Sequence, residues 1–309
     1  MRYRPLGNTG LSVSALSYGA SSLGGVFRNI DEAEGIRTVH EALDLGINLL
    51  DVSPLYGLTK AEKVLGKALE TVSRYRYILS TKAGRYGQSD FDFSADRIIR
   101  SVEESLIRLK VDYIDILHLH DIEHGDLNRI IEESIPTLYK LKEQGKIRFC
   151  GISGLPLSIY NIVLDRLSVD VILTYCHYSL NDTSLIDLLP YLEEKKVGVI
   201  NASPLSMGLL SIKGTPLWHP ASTDIKVVCL QAAEYCRSQG QDISKLAVQF
   251  AVSNPDIPTT LVGTASSINI RKNVQCIEEP LDLELIQRVQ EILMPILNKT
   301  WQSGRLENN

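Results

Sequence analysis

The chain has 309 residues, 44% of them hydrophobic and 22% charged, with a formal net charge of −5. This composition excludes a disordered or fibrous chain, and the negative balance gives no electrostatic reason to expect nucleic acid or an anionic membrane as partner. No apolar run approaches the roughly 20 residues of a bilayer span.

In chain order, residues 4–7 and 11–16 flank Asn8-Thr9-Gly10 and predict an opening hairpin. No apolar stretch follows Met1-Arg2-Tyr3-Arg4-Pro5, so no secretory signal is expected. A strand over 15–19 comes next. The helix over 31–45 carries Ala33, Ile36, Val39, Ala42 and Leu43 at helical spacing, and Gly46 suits its end. Strand 47–51, helix 59–72 and strand 77–82 continue the alternation. Helix 94–109 opens on Ser94 as cap, with Arg97 rather than an acid at the third helical position. Strand 113–120, helix 127–144, strand 147–153, helix 157–166, strand 169–174, helix 184–195 and strand 197–203 follow. Helices 225–238 and 243–252 precede a last strand, 260–262, and helices 267–276 and 283–296 finish the pattern. The tail 302–309 is polar and reads as frayed. Five cysteines without a Cys-x-x-Cys pair read as reduced thiols in a cytoplasmic compartment.

Eight strand-and-helix units predict an α/β fold: a closed (β/α)8 TIM barrel with an N-terminal β-hairpin and extra C-terminal helices, as a single domain over 1–309. The competing doubly wound sheet wants a Gly-x-Gly-x-x-Gly turn, and Gly19-Ala20-Ser21-Ser22-Leu23-Gly24 does not supply one. Residues two apart on a strand share a face. Leu49 with Asp51, Ser80 with Lys82, and His118 with His120 are therefore expected inside, and Val52, Thr81 and Leu119 against the helices. Asp51, Lys82 and His120 become the last inward residues of their strands, at the mouth where barrel sites lie. Tyr56 follows Asp51 in Asp51-Val52-Ser53-Pro54-Leu55-Tyr56-Gly57.

An acid, an amine, a phenol and an imidazole converging there can move a proton beside a hydride transfer. A free phenol titrates near about 10, too high for a base at neutrality. Lys82, held charged by Asp51, is expected to lower Tyr56. Tyr56 then exchanges a proton with a substrate oxygen that His120 orients, and the hydride passes to or from a nicotinamide, because no side chain carries one. Asp51 and Lys82 alone could be a buried structural ion pair; the other two strand-end residues weigh against that. His118, one layer deeper, reads as a core histidine, and His40 as a surface one. His124 with Asp121 and Glu123 fits no strong zinc spacing, so no metal is expected.

The runs Leu6-Gly7-Asn8-Thr9-Gly10-Leu11-Ser12-Val13-Ser14, Asp51 to Gly57, Ser80-Thr81-Lys82, Asp112-Tyr113-Ile114-Asp115-Ile116-Leu117-His118-Leu119-His120 and Ser203-Pro204-Leu205 resemble the aldo-keto reductase family over nearly the whole chain. The resemblance implies Tyr56 as acid/base, Lys82 and Asp51 as its tuning pair, and His120 as substrate orienter. It places the nicotinamide cofactor against Ala20, Ser21, Ser153, Tyr175, Ser203, Leu205, Gly263 and Asn273. The runs His120-Asp121-Ile122-Glu123, Gly154-Leu155-Pro156-Leu157, Tyr175-Cys176-His177-Tyr178 and Trp218-His219-Pro220-Ala221-Ser222 resemble the galactose-oxidising branch of that family. This implies oxidation of an aldose's anomeric hydroxyl to a lactone. L-fucose, a related aldose or a simple alcohol is the alternative substrate, and a cofactor-sensing scaffold subunit is the non-enzymatic alternative. His177, Trp218 and His219 lie in mouth loops and are expected near the sugar. The only partner expected is that small molecule, on a monomer or homodimer.

Three positions depart from the family pattern: Gly154 stands where many members carry Asn, Tyr175 where many carry Gln, and Ala202 where an aromatic is common. NADP-preferring members place Lys and Arg around the 2′-phosphate. Aligned on Asn273, Gly263 and Asn269 stand at those places, with Arg271 and Lys272 nearby, and NAD is expected rather than NADP.

Overall fold

The computed structural model describes residues 1–26 and 29–309. Tyr3–Pro5 (β1) and Ser12–Ser14 (β2) pair antiparallel, as the hairpin signal predicts. Eight parallel strands then close a barrel: Leu16–Gly19 (β3), Leu49–Asp51 (β4), Ile78–Ala83 (β5), Ile114–Leu119 (β6), Ile147–Gly154 (β7), Val171–Tyr175 (β8), Gly198–Ala202 (β9) and Thr259–Gly263 (β10). Each pairs with the next, and β10 lies between β9 and β3. The predicted (β/α)8 architecture is therefore present.

The hairpin plugs the lower end of this cylinder. Leu6, Leu11 and Val13 join Leu49, Ile78, Ile116, Val171, Leu173, Ile200 and Leu261 in one apolar cluster. Gly7, at φ +52°, passes so near β9 that an added Cβ would lie 2.7 Å from the Cα of Gly198, so only glycine fits. With apolar residues filling the bottom, polar inward side chains are left for the top.

The expected alternation holds. Leu49 faces the interior cluster, whereas Leu50, Val52 and Leu79 pack with the surrounding helices. Leu117 and Leu119 do the same on β6. Thr81 points outward and donates to Glu62 Oε1 at 2.7 Å. Glu62 belongs to Lys60–Leu69 (α2), which follows Glu32–Asp44 (α1). Ala95–Leu109 (α3) starts on Ser94, whose Oγ accepts from the Arg97 amide, as expected.

The predicted helix 127–144 divides into Leu127–Arg129 (α4), a π-helical turn at Ile130–Ser134 and Ile135–Glu143 (α5). Pro136 has no N–H to give to the ladder, and the widened turn ahead of it absorbs the mismatch. Ser158–Leu164 (α6), Leu185–Glu194 (α7), Thr223–Ser238 (α8), Ile243–Ser253 (α9), Ser267–Cys276 (α10) and Leu283–Leu293 (α11) complete the helices. Among the described residues no helix is long and apolar enough to cross a membrane. All five cysteines are buried and unpaired.

The frayed tail is not found. Ser303 Oγ donates to Glu123 Oε1 at 2.8 Å, Arg305 N to Glu123 O at 3.0 Å, and buried Asn308 Nδ2 to Glu123 O and Gly125 O at 2.8 and 3.0 Å. Ser303, the Arg305 amide and buried Asn308 thus tie the tail to a loop at the barrel mouth, while its other side chains stay exposed.

Candidate active site

β4, β5 and β6 end on the polar layer that the alternation predicts. The Lys82 ammonium is ion-paired with Asp51 Oδ1 and donates to Val52 O at 3.0 Å, while Ser80 Oγ donates to Asp51 Oδ2 at 2.7 Å. Both charges are buried, so each depends on the other and on these bonds. Burial works against the charged amine, but Asp51 and then Tyr56 outweigh it and hold Lys82 above its ordinary value.

Tyr56 sits in the turn between β4 and α2. Its backbone is pinned by two glycines: a Cβ on Gly24 would lie 2.6 Å from Tyr56 C and O, and one on Gly57, at φ +61°, would overlap Gly24 O. The Lys82 ammonium lies 5.2 Å from the centroid of the Tyr56 ring. The His120 ring stands edge-on to the phenol, with centroids 5.8 Å apart and planes at 86°. The structure thus brings Asp51, Tyr56, Lys82 and His120 together.

The expected lowering of Tyr56 is not found: its phenol is raised, although Lys82 acts in the predicted direction. Burial raises the phenol above its ordinary value and wins; Lys82 is the largest opposing cause, and Asp51 and Asp121 add to the rise. His120 is lowered to about 3, first by burial and further by Lys82 and Arg85, against the pull of Asp121. It is a neutral imidazole at working pH, able to orient an oxygen by hydrogen bonding and not by charge. Its Nδ1 lies 3.0 Å from Ser53 Oγ, which accepts from the Leu55 amide, and its Nε2 lies 3.7 Å from Asp121 Oδ2.

Sequence reasoning missed Ser53 and Arg85 and saw Asp121 and Glu123 only as neighbours of His120. Asp121 has a left-handed backbone (φ +54°), its amide donates to Ser153 Oγ at 3.1 Å, and its carboxylate pairs with Arg85. Arg85 lies in the loop just past Lys82, so the strand-end rule could have found it. His118 is a buried inward residue packed against Gly151, where a Cβ would lie 2.7 Å from its Cε1.

Glu123 explains one departure from the family pattern. It is fully buried, and a Cβ at position 154 would lie 2.6 Å from its Oε2, so Gly154 is the residue that leaves it room. Burial first, and Asp121 next, push its carboxyl up to about 8 from 4.5. The folded state therefore keeps a proton that the unfolded chain releases at lower pH. This contribution to stability is complete below about 4.5 and is lost as pH rises through about 8. Melting curves from pH 5 to 9 should show this loss. Glu123→Gln should flatten the slope and exceed wild type at pH 9 by a few kcal/mol, on the order of the linked shift. A variant with the wild-type slope would refute it.

Most of the residues expected at the cofactor stand at or just past the C-terminal ends of barrel strands. Buried Ala20 opens a 3-10 turn, Ala20–Gly24, after β3. Exposed Gly263 ends β10, where a Cβ would lie 3.4 Å from Ser21 Oγ. Tyr175 ends β8, paired with Ala202. Ser203 follows β9 at φ +57°, Leu205 packs against two helix-side clusters, and Asn273 lies on α10. Ser153 is buried, with its hydroxyl holding the Asp121 amide. On the substrate side, His177 has Nδ1 at 2.9 Å from Ser184 Oγ and Nε2 at 2.7 Å from Leu155 O. His219 accepts from the Ala221 amide on Nδ1, leaving Nε2–H for Ser206 O at 3.1 Å. Both imidazoles are committed within the protein. Trp218 is half exposed beside His219, with ring centroids 6.3 Å apart.

The model of the Aldo/keto reductase family matches residues 15–294. L-galactose dehydrogenase of Arabidopsis thaliana is 52% identical, over 99% of this chain and 98% of that protein. D-arabinose 1-dehydrogenase of Saccharomyces cerevisiae is 32% identical over 95% and 94%. An aldo-keto reductase of Bacillus halodurans, solved in its holo form, is 30% identical with a TM-score of 0.79, covering 99% of both chains. A likeness that runs through the barrel, its plug and its mouth loops is a likeness of the whole molecule, and the chain belongs to the aldo/keto reductase family of oxidoreductases.

Proposed function

We propose that this chain oxidises the anomeric hydroxyl of an L-galactose-like aldose to a lactone, with NAD as hydride acceptor. The reading is carried by the buried Asp51–Lys82 pair set against the Tyr56 ring with a neutral His120 at right angles to it. The 52% identity to an L-galactose dehydrogenase supports the choice of sugar.

NAD supplies the nicotinamide carbon that takes the hydride. The residues present fit such a group: Gly263 leaves open a cradle beside Ser21 that a Cβ would fill, and Ser153, Tyr175, Ser203 and Leu205 stand at or just past the ends of β7, β8 and β9, with Ala20 after β3 and Asn273 on α10. Tyr56 Oη accepts the hydroxyl proton during oxidation and returns it in the reverse direction. Lys82, kept charged by Asp51, is the group that favours the phenolate against burial. The His120 imidazole hydrogen-bonds the reacting oxygen, with Ser53 steadying its far edge. Because burial holds the phenol protonated, oxidation should quicken as pH rises. Trp218 offers an apolar face for the sugar ring. Five unpaired thiols suit a cytoplasmic, single-domain enzyme, active as a monomer or homodimer.

The test is the appearance of NADH when the protein meets NAD and a panel of aldoses and simple alcohols. L-galactose, or an aldose sharing its configuration, should react fastest. The second reading, L-fucose or another aldose, gains from the 32% identity to a D-arabinose 1-dehydrogenase and would show as a different leader within the panel. A simple alcohol leading, or no NADH at all, would overturn the assignment.

A further inference from the structure

The turn that carries Tyr56 and the strand end that carries His120 meet at Ser53. The Ser53 carbonyl accepts from the Tyr56 amide at 3.1 Å and so closes the turn under the phenol. Its hydroxyl accepts from the Leu55 amide at 3.1 Å and lies 3.0 Å from His120 Nδ1. Ser53 and His120 are both buried, so neither polar group can turn to bulk water for a partner.

Counting donors decides which ring nitrogen holds the proton. A neutral imidazole has one N–H and one bare nitrogen, and the bond made at one fixes the state of the other. Among the described residues, His120 Nδ1 is the one acceptor within reach of the Ser53 hydroxyl hydrogen. With Nδ1 bare, the hydroxyl donates to it and every group is satisfied. With a proton on Nδ1, Ser53 Oγ would accept from both the imidazole and the Leu55 amide, and its own buried hydrogen would have no acceptor, a costly state. The opposite edge of the ring is biased the same way. Asp121 Oδ2 lies 3.7 Å from Nε2, and a carboxylate attracts an N–H and repels a bare nitrogen. Arg85 pairs with that carboxylate, and the Asp121 amide donates to Ser153 Oγ at 3.1 Å, which keeps it in place.

We propose that Ser53 is a positioning residue that locks His120 in the form protonated at Nε2 and ties that form to the turn holding Tyr56. This deepens the acid/base reading above and rests on it. The lock divides the labour at the reacting oxygen. Nε2–H gives that oxygen a donor, and Tyr56 Oη is left as the acceptor of its proton. In the other form a bare Nε2 would compete with the phenol for the same proton and would have nothing to donate.

Proton–nitrogen correlation spectra of the full chain, labelled with nitrogen-15 at histidine, read the form directly, with the His120 signals identified by their loss in His120→Asn. Wild type should show a bare Nδ1 and a protonated Nε2. Ser53→Ala should bring in the form protonated at Nδ1 and lower kcat by about tenfold, the worth of one buried hydrogen bond, while NAD binding is unchanged. Ser53→Thr keeps a hydroxyl and should restore both the spectrum and kcat. A wild-type proton on Nδ1, or a Ser53→Ala spectrum identical to wild type, would overturn the lock whatever happens to the rate. A lower kcat with an unaltered spectrum would show that the serine only fills space. If no aldose reduces NAD, the acid/base reading falls, and the spectra of wild type and Ser53→Ala still decide the lock.

Discussion

Tyr56→Phe should cut turnover by about 10²–10⁴-fold, the usual worth of a positioned acid/base, and leave NAD affinity within about threefold. The substitution removes one oxygen and keeps the ring. The edge-on contact with His120 at 5.8 Å is made by the ring, and Lys82 loses its bond to the phenol oxygen but stays held by Asp51 and Val52 O. Gly24 and Gly57 hold the backbone in the same place whichever side chain follows. Steady-state kinetics give the first number and a fluorescence titration with NAD the second. Turnover at the wild-type rate would remove Tyr56 from the chemistry.

Lys82→Met should do double harm. The amine neutralises a carboxylate that has no water to turn to, and taking one partner from a buried pair costs about 3–5 kcal/mol. Only the Ser80 hydroxyl would remain on Asp51. Turnover should fall as well, because the largest influence favouring the Tyr56 phenolate is gone. The double variant Asp51→Asn, Lys82→Met separates the two effects. It removes the stranded charge, so chemical denaturation should show most of the lost stability returning while turnover stays low. Recovery of turnover with stability would mean that the pair serves the fold alone.

The barrel could be read from the sequence because its signal is local. Each strand alternates between a face toward the centre and a face toward the helices, and the pairs Leu49 and Asp51, Ser80 and Lys82, His118 and His120 carry that alternation visibly. The same rule placed three of the four central residues at the mouth. What escaped depends on separation or on depth. Arg85 and Asp121 are 36 positions apart, Ser53 and His120 67, and no spacing rule joins them. The Tyr56 shift escaped for a second reason: sequence shows that a cation is near but not how deeply the phenol is buried, and here depth decides the sign. The π-helical turn kept its apolar stripe, Ile130, Ile131, Ile135, Leu138 and Leu141, so its periodicity looked like an ordinary helix. In the tail, Asn308 and Ser303 looked solvent-seeking because composition does not distinguish water from an unmet carbonyl.

The pairing of β10 with β3 sets a condition on how this molecule is made. Thr260 meets Leu16 and Gly263 meets Gly19 across a loop of more than two hundred residues, the kind of distant contact that slows folding. Until residues 259–263 arrive, a growing chain holds an open parallel sheet with two bare edges, β3 and β9, each able to recruit a strand from another copy. The seam that closes last is also the one bordered by Gly19 and Gly263, beneath the rim assigned to the dinucleotide. An interrupted synthesis product should therefore be sticky as well as inactive, and a ligand bridging that seam would hold the newly joined edges together.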